Sequence, residues 1–167
     1  MAKGPSGSPA AVRVISAGGS GVKVRNNVLY TEGGVPLVVA PGVTLSKLQY
    51  QGNDYFPGGE SFAIKWGSQT YSSLGAWRTA TGQEKYLESP TGLSVDPLWL
   101  SPGAGGTLND PFALAALSAY KMKDSSQLID KGLHLAKLFG SNIGPYDYYG
   151  SPVPSGGGPE VGAYEKP

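Results

Sequence analysis

Few side chains in this sequence could do chemistry, and their spacing narrows what that chemistry could be. The one histidine, His134 in GLHLAKLF, has no nucleophile or carboxylate beside it in sequence, so it reads as a solvated or turn-packing residue. Carboxylates such as Asp54, Glu60, Glu84 and Asp130 are scattered, without the dense acidic cluster that a Ca²⁺ site needs. Asp54 and Glu60 could converge on folding as a pair for glycoside hydrolysis, with corner hydrogen bonding as the alternative. The chain has no cysteine, which excludes disulfides, thiolate metal sites and cysteine nucleophiles. GPSGSP and GAGG lack the strand-to-helix setting and the lysine of a phosphate loop. No catalytic residue, metal or cofactor is expected.

Binding is better served. The chain has 3 tryptophans and 10 tyrosines. Sugar rings present C–H faces that stack on such rings, while their hydroxyls suit Asn, Gln and Asp. Tyr50 and Tyr55 in LQYQGNDYF, Trp66 at the end of SFAIKW, and Tyr146, Tyr148 and Tyr149 in the tail are the candidates for carbohydrate binding. The alternative for each is packing in the core or in a cap.

The elements that must position these residues repeat. AAVRVI (10–15), VPLVVA (35–40) and SFAIKW (61–66) are short apolar runs, separated by VKVRNNVLY (22–30) and LQYQGNDYF (48–56). The second pair aligns at an offset of 26, placing Val24 on Tyr50 and Asn27 on Asn53. The alternation has period two and none of it has helical spacing. A unit this small cannot bury its own apolar face, so it must stack on a neighbour in parallel register, with Val14, Val38 and Ile64 in one column. Asn26, Asn27 and Asn53 then fall at corners, where asparagine tolerates left-handed φ and its amide can bond along the stack. An antiparallel β-sandwich is the competing reading.

Beyond residue 67 the repeat fades. YSSLGAWRTATGQE (71–84) predicts a short helix capped by Ser72 or Ser73 and ended by Gly82, with Leu74, Trp77 and Arg78 on one face. LSVDPLWLSP (93–102) predicts an apolar strand between prolines, FALAALSAYKMK (112–123) is open between helix and strand, and SSQLIDKG (125–132) predicts a turn. Composition agrees with many tight turns: Gly 26 and Pro 14 in 167 residues, with charged residues at only 15%. A formal charge of +1 gives no electrostatic case for nucleic acid or an anionic membrane. No apolar run is long enough to cross a membrane, and MAKGPSGSPA lacks the apolar stretch of a signal peptide.

Taken in order, these pieces resemble the C-terminal end of secreted right-handed parallel β-helix proteins, the broad group that includes pectate-lyase-like enzymes. The carriers are the corners NNVLY and GNDYF, the segment YSSLGAWRTATGQE, the DPLWL run, the SSQLIDKG turn and the terminal YYGSPVPSGGGPEVGAYE, together spanning residues 10 to 165. Gln127-Leu128 replaces the usual Pro-Ala, and YDYYG replaces an Asp-aromatic-Asp-Gly run, which argues against carrying over any metal site at these turns.

The resemblance implies an all-β fold, a right-handed parallel β-helix of about two to three coils with a short helix and an irregular C-terminal cap. Residues 1–67 would form the coils and 68–167 the decorated last coil and cap, with PEVGAYE strapping Val161 and Tyr164 across the open end. The abrupt start predicts that the first coil is covered by upstream residues or by another chain. Catalytic residues of such enzymes lie on central coils, so this segment is expected to be a non-catalytic carbohydrate-binding module of an extracellular or cell-surface protein, with polysaccharide as partner. The end of a polysaccharide lyase or glycoside hydrolase whose active site lies upstream is one alternative, and a structural or adhesive β-helix is the other.

Overall fold

The computed structural model describes residues 9–19, 21–104 and 117–167. The opening residues 1–8 and the FALAA start of the ambiguous segment lie outside the described residues. The chain is β-rich with few helices, and its sheets are short and mixed. Strands β1 (Val12–Arg13), β2 (Val22–Arg25) and β3 (Val28–Tyr30) make a first unit. A second is made by β4 (Val38–Ala40), β5 (Leu48–Gln51) and β6 (Asp54–Phe56), and β7 (Ile64–Trp66) opens a third. Equivalent strands pair in parallel, always 26 residues apart: Val12 with Val38, Val38 with Ile64, Val24 with Tyr50, Leu29 with Tyr55. Val14, expected opposite Val38, lies two residues beyond that pairing. A period-two pattern keeps the same face inward after a slip of two, so it could not separate the two registers.

Alternation sends Leu29, Val38, Ala40, Tyr50, Tyr55 and Ile64 into one core and leaves Arg13, Lys23, Gln49 and Lys65 outside. Burial of each large apolar side chain contributes about 1.5–3 kcal/mol, which must offset the entropy of ordering such short strands.

The third unit departs from the pattern. β7 folds back on β8 (Gln69–Tyr71) in antiparallel register, and the chain enters helix α1 (Leu74–Thr81). The Ser73 hydroxyl accepts from Ala76 N–H at 3.1 Å, and Gly82 ends the helix at φ 70°. Helix α1 delivers Trp77 into the core, where its ring meets Tyr50, Tyr55 and Trp66 at 5.6, 5.6 and 5.2 Å. The chain then rejoins the stack: Glu84 N–H donates to Tyr50 O at 2.8 Å, and Leu93 bridges Asp54 in parallel.

Between these contacts runs an antiparallel hairpin, β9 (Lys85–Tyr86) and β10 (Ser89–Pro90). Its two-residue loop holds Leu87 at φ 46° and Glu88 at φ 65°, a left-handed pair that favours Asn-Gly. Leu87 is also exposed at the tip. Replacing Leu87→Asn together with Glu88→Gly is expected to stabilise the protein by about 1 kcal/mol, read as a higher urea midpoint with unchanged slope. An unchanged or lower midpoint would show that the tip carries no strain.

The segment 93–102 is not a continuous strand: its β-pairing is the isolated bridges Asp54–Leu93 and Trp99–Met122, the second flanked by Leu100 N–H to Lys121 O and Lys123 N–H to Leu98 O, each 2.9 Å. Its prolines remove the donors a ladder needs. Ser118–Tyr120 forms a 3₁₀ turn, and LHLAKLF supplies a helix that periodicity did not reveal, α2 (Leu135–Phe139), closed by Gly140 at φ 63°. At five residues α2 is too short to hold itself. Phe139 anchors it, packing on Tyr86 at 5.3 Å and under the Arg25 guanidinium at 3.5 Å.

The terminal strap lies elsewhere than expected. Val161 joins Met122 and Leu128 in a second core that packs on Val28, Leu93, Val95 and Trp99. Because Val28 belongs to the first unit and Leu93 to the third, the strap runs along the flank of the stack.

Candidate functional site

The corner between β2 and β3 organises everything that surrounds it. Asn26 at φ 53° and Gly52 at φ 70° hold equivalent positions, 26 residues apart, in left-handed turns. Asn53 Oδ1 accepts from Asn27 N–H at 3.0 Å and from Asn27 Nδ2 at 3.2 Å, while Asn53 Nδ2 donates to Val24 O at 2.8 Å. The amides bond along the stack, as asparagine at this corner should.

The column ends on a buried carboxylate. Glu84 Oε1 accepts from Asn53 Nδ2 and Tyr55 Oη, both at 2.7 Å, and Oε2 accepts from Gly52 N–H at 2.6 Å and Thr91 Oγ1 at 3.0 Å. Burial raises the Glu84 carboxyl above its ordinary range, and the donors from Asn53, Tyr55 and Thr91 pull it back. With every oxygen engaged and no solvent contact, Glu84 is a structural acceptor.

Asn26 turns the same corner outward to hold the cap. Its side chain exchanges two bonds with the Leu133 backbone, each 2.9 Å, and its carbonyl accepts from Gly162 N–H at 2.8 Å. These contacts lay the strap beside the first unit and open a cleft of about 320 Å³, floored by Met122 and Val161. Trp99, Tyr120, Tyr149 and Tyr164 wall it, and Asn27 stands at its edge. Trp99 is braced by Tyr30 at 5.2 Å and meets Tyr120 edge-on at 5.5 Å. Tyr149 meets Tyr164 edge-on at 5.5 Å, and its hydroxyl donates to Leu117 O at 3.1 Å. Lys121 Nζ lies 4.9 Å from the Tyr149 ring centre, adding a cation to this wall.

A second cleft of about 260 Å³ lies against the same Gly162-Ala163 stretch. Tyr146, Asp147, Glu160 and Glu165 line it with Arg25. Glu160 N–H donates to Glu165 Oε1 at 3.1 Å, and burial, with the Glu165 carboxyl beside it, raises the Glu160 carboxyl to about 8.

The sequence candidates separate into two groups. Tyr50 and Tyr55 have no exposed surface and Trp66 is 5% exposed, so these three are core residues and cannot present a sugar platform. A signal for this existed: Tyr50 pairs with Val24, Tyr55 with Leu29 and Trp66 with Ala40, each an inward aliphatic position. Tyr146 and Tyr148 are 63% and 40% exposed, and Tyr149 forms a cleft wall. Trp99, Tyr120 and Lys121 were not singled out, because no periodicity marks a wall assembled from distant segments.

The proposed acid pair does not assemble. Asp54 is fully buried, accepting from Val95 N–H at 3.0 Å, whereas Glu60 is exposed in a turn. His134 is exposed at the start of α2. No group of three or more His, Cys, Asp or Glu side chains able to hold a metal occurs among the described residues. No helix among them is long and apolar enough to cross a membrane.

The sequence matches no family model, and no curated protein matches it. The likeness to pectate-lyase-like proteins rests on the quoted motifs alone.

Proposed function

We propose that this chain is a short right-handed parallel β-helix of about two to three coils whose cap cleft binds carbohydrate without cleaving it. Support for the coil comes from the constant 26-residue register shared by three separate ladders. The observation that carries the function is the cleft itself, with four aromatic walls over an apolar floor, Asn26 and Asn27 in its lining, and the Lys121 ammonium against the Tyr149 ring. At about 320 Å³ it lies at the small end of ligand sites, the size for one or two sugar rings of a polysaccharide. Its partner is then a polysaccharide met outside the cell or on its surface. The non-cleaving half of the reading is supported by the burial of Asp54 and Glu84 in structural roles and by a cleft lining that, among the described residues, holds no carboxylate.

Tyr120→Ala is the cleanest test, because Tyr120 is 37% exposed and sits outside both core clusters. Loss of one stacking ring is expected to remove about 1 kcal/mol, about a fivefold drop in retention on insoluble polysaccharide. Trp99→Ala should lower it further, although it also loosens the second core. Circular dichroism of Tyr120→Ala should match the parent. Retention unaltered in both variants would remove the cleft from consideration, and release of reducing ends or unsaturated products would overturn the non-catalytic half.

A further inference from the structure

The strap that forms one side of the cap cleft holds two acids where a fold would ordinarily place apolar residues. Glu160 and Glu165 are 2% and 4% exposed, and neither is ion-paired among the described residues. Backbone donors satisfy most of their oxygens: Glu165 accepts from Ser155 N–H at 3.2 Å and Glu160 N–H at 3.1 Å, and Glu160 Oε1 accepts from Lys166 N–H at 3.2 Å. Among the described residues, Glu160 Oε2 has no donor directed at it. It is the oxygen placed to carry a proton, and protonation removes the like-charge repulsion that the neighbouring Glu165 carboxylate would otherwise exert.

The surroundings offer little to replace that proton. Asp147 accepts from Glu165 N–H at 2.7 Å, and Asp130 accepts from Gly158 N–H at 2.8 Å, so two more acids face the strap. The Lys166 ammonium is drawn to Asp124 at 3.2 Å. Arg25 shares the second cleft, but its guanidinium donates to Gln51 and Gln49 and stacks on Phe139. The His134 imidazole faces Gly158 at the start of the strap.

We infer that Glu160 and Glu165 form a proton-held latch: while Glu160 carries its proton the strap stays on the flank and the cap cleft keeps its wall, and its loss to solvent lets the strap lift. The strap is suited to this, because Val161, Gly162 and Tyr164 lie between the two acids and line the cleft. Among the described residues its direct backbone tie to the stack is Gly162 N–H to Asn26 O at 2.8 Å; the others, Val161 N–H to Leu128 O at 3.2 Å, Gly132 N–H to Pro159 O at 2.7 Å and Tyr148 N–H to Ala163 O at 3.3 Å, are to the cap. The inference deepens the carbohydrate reading by giving its site a regulation, and rests on that reading only for what the cleft admits.

Opening frees Glu160 to titrate normally, so linkage sets the sign. Between the ordinary carboxylate range and about 8, opening releases a proton and becomes more favourable with rising pH. Protection of the Val161 and Gly162 amides from hydrogen exchange, measured on the whole chain from pH 5.5 to 9, should fall about tenfold per pH unit and level near 8. Glu160→Gln, whose amide is neutral and does not titrate, should hold protection constant, and His134→Ala should follow the parent. Should Glu160→Gln not fold, Glu165→Gln serves, since a carboxylate beside an amide needs no proton and the slope should vanish. A slope that persists in the glutamine variant, or a parent with constant protection, overturns the latch. The exchange measurement needs no sugar, so its failure leaves the carbohydrate reading standing, and loss of that reading leaves the exchange result intact.

Discussion

Replacing Glu84 by alanine is expected to cost about 4 kcal/mol, the loss typical of breaking a fully buried charged network. The carboxylate has no solvent contact and satisfies Gly52 N–H, the Asn53 amide, the Tyr55 hydroxyl and the Thr91 hydroxyl at once. Deletion strands donors on three separate segments, the β5–β6 corner, β6 itself and the return after the hairpin. Water cannot rescue them without disrupting the corner. Glu84→Gln keeps the volume but turns an N–H₂ group toward a donor, so it should cost about half as much. Because whole domains are stable by only about 5–15 kcal/mol, the alanine variant should unfold at much lower urea with an unchanged slope. A shift equivalent to under about 1 kcal/mol would mean that the network relaxes around the loss.

The reach of Glu84 also shows where the sequence stops being readable. Its partners Gly52, Asn53 and Tyr55 lie in the repeat, whose 26-residue alignment was visible because apolar and asparagine positions recur together. Glu84 itself lies just past α1, where an inserted hairpin and helix stretch the interval between Asp54 and Leu93 to 39 residues. Helix α1 was legible from its serine cap, its glycine stop and its apolar face, all of them local signals. The cap cleft was not. Asn26 reaches Leu133 across 107 residues, and Trp99 meets Tyr120 where 98–101 pairs with 119–123 outside any repeat. Such contacts leave no period for a pattern to reveal.

Raising the pH from about 4 to about 7 is expected to weaken the fold by about 4 kcal/mol through Asp54 alone, at about 1.4 kcal/mol for each unit of displacement. Asp54 shares its register column with Val28 and Leu93, both of which pack against the second core. Burial there raises its carboxyl to about 7, the Val95 and Tyr55 N–H groups pull it back, and Asp96 pushes it up. Among the described residues its Oδ2 has no donor directed at it, which suits a protonated acid and not an anion. The unfolded chain loses this proton near 4 and the folded chain near 7, so the folded state binds more protons across that window. Stability is therefore greatest in mild acid and falls until Asp54 is ionised in both states. Glu160, raised to about 8, extends the same slope, and Glu84 is displaced in the same direction. Asp54→Asn reproduces the shape of the protonated acid and cannot ionise. At pH 8 it should be more stable than the parent by a large part of that 4 kcal/mol, and at pH 4 the two should be nearly equal. Urea midpoints at both pH values decide it: a variant that is no more stable than its parent at pH 8 would mean that Asp54 ionises in the folded chain without penalty, and the burial of its carboxyl against the cap would have to be abandoned.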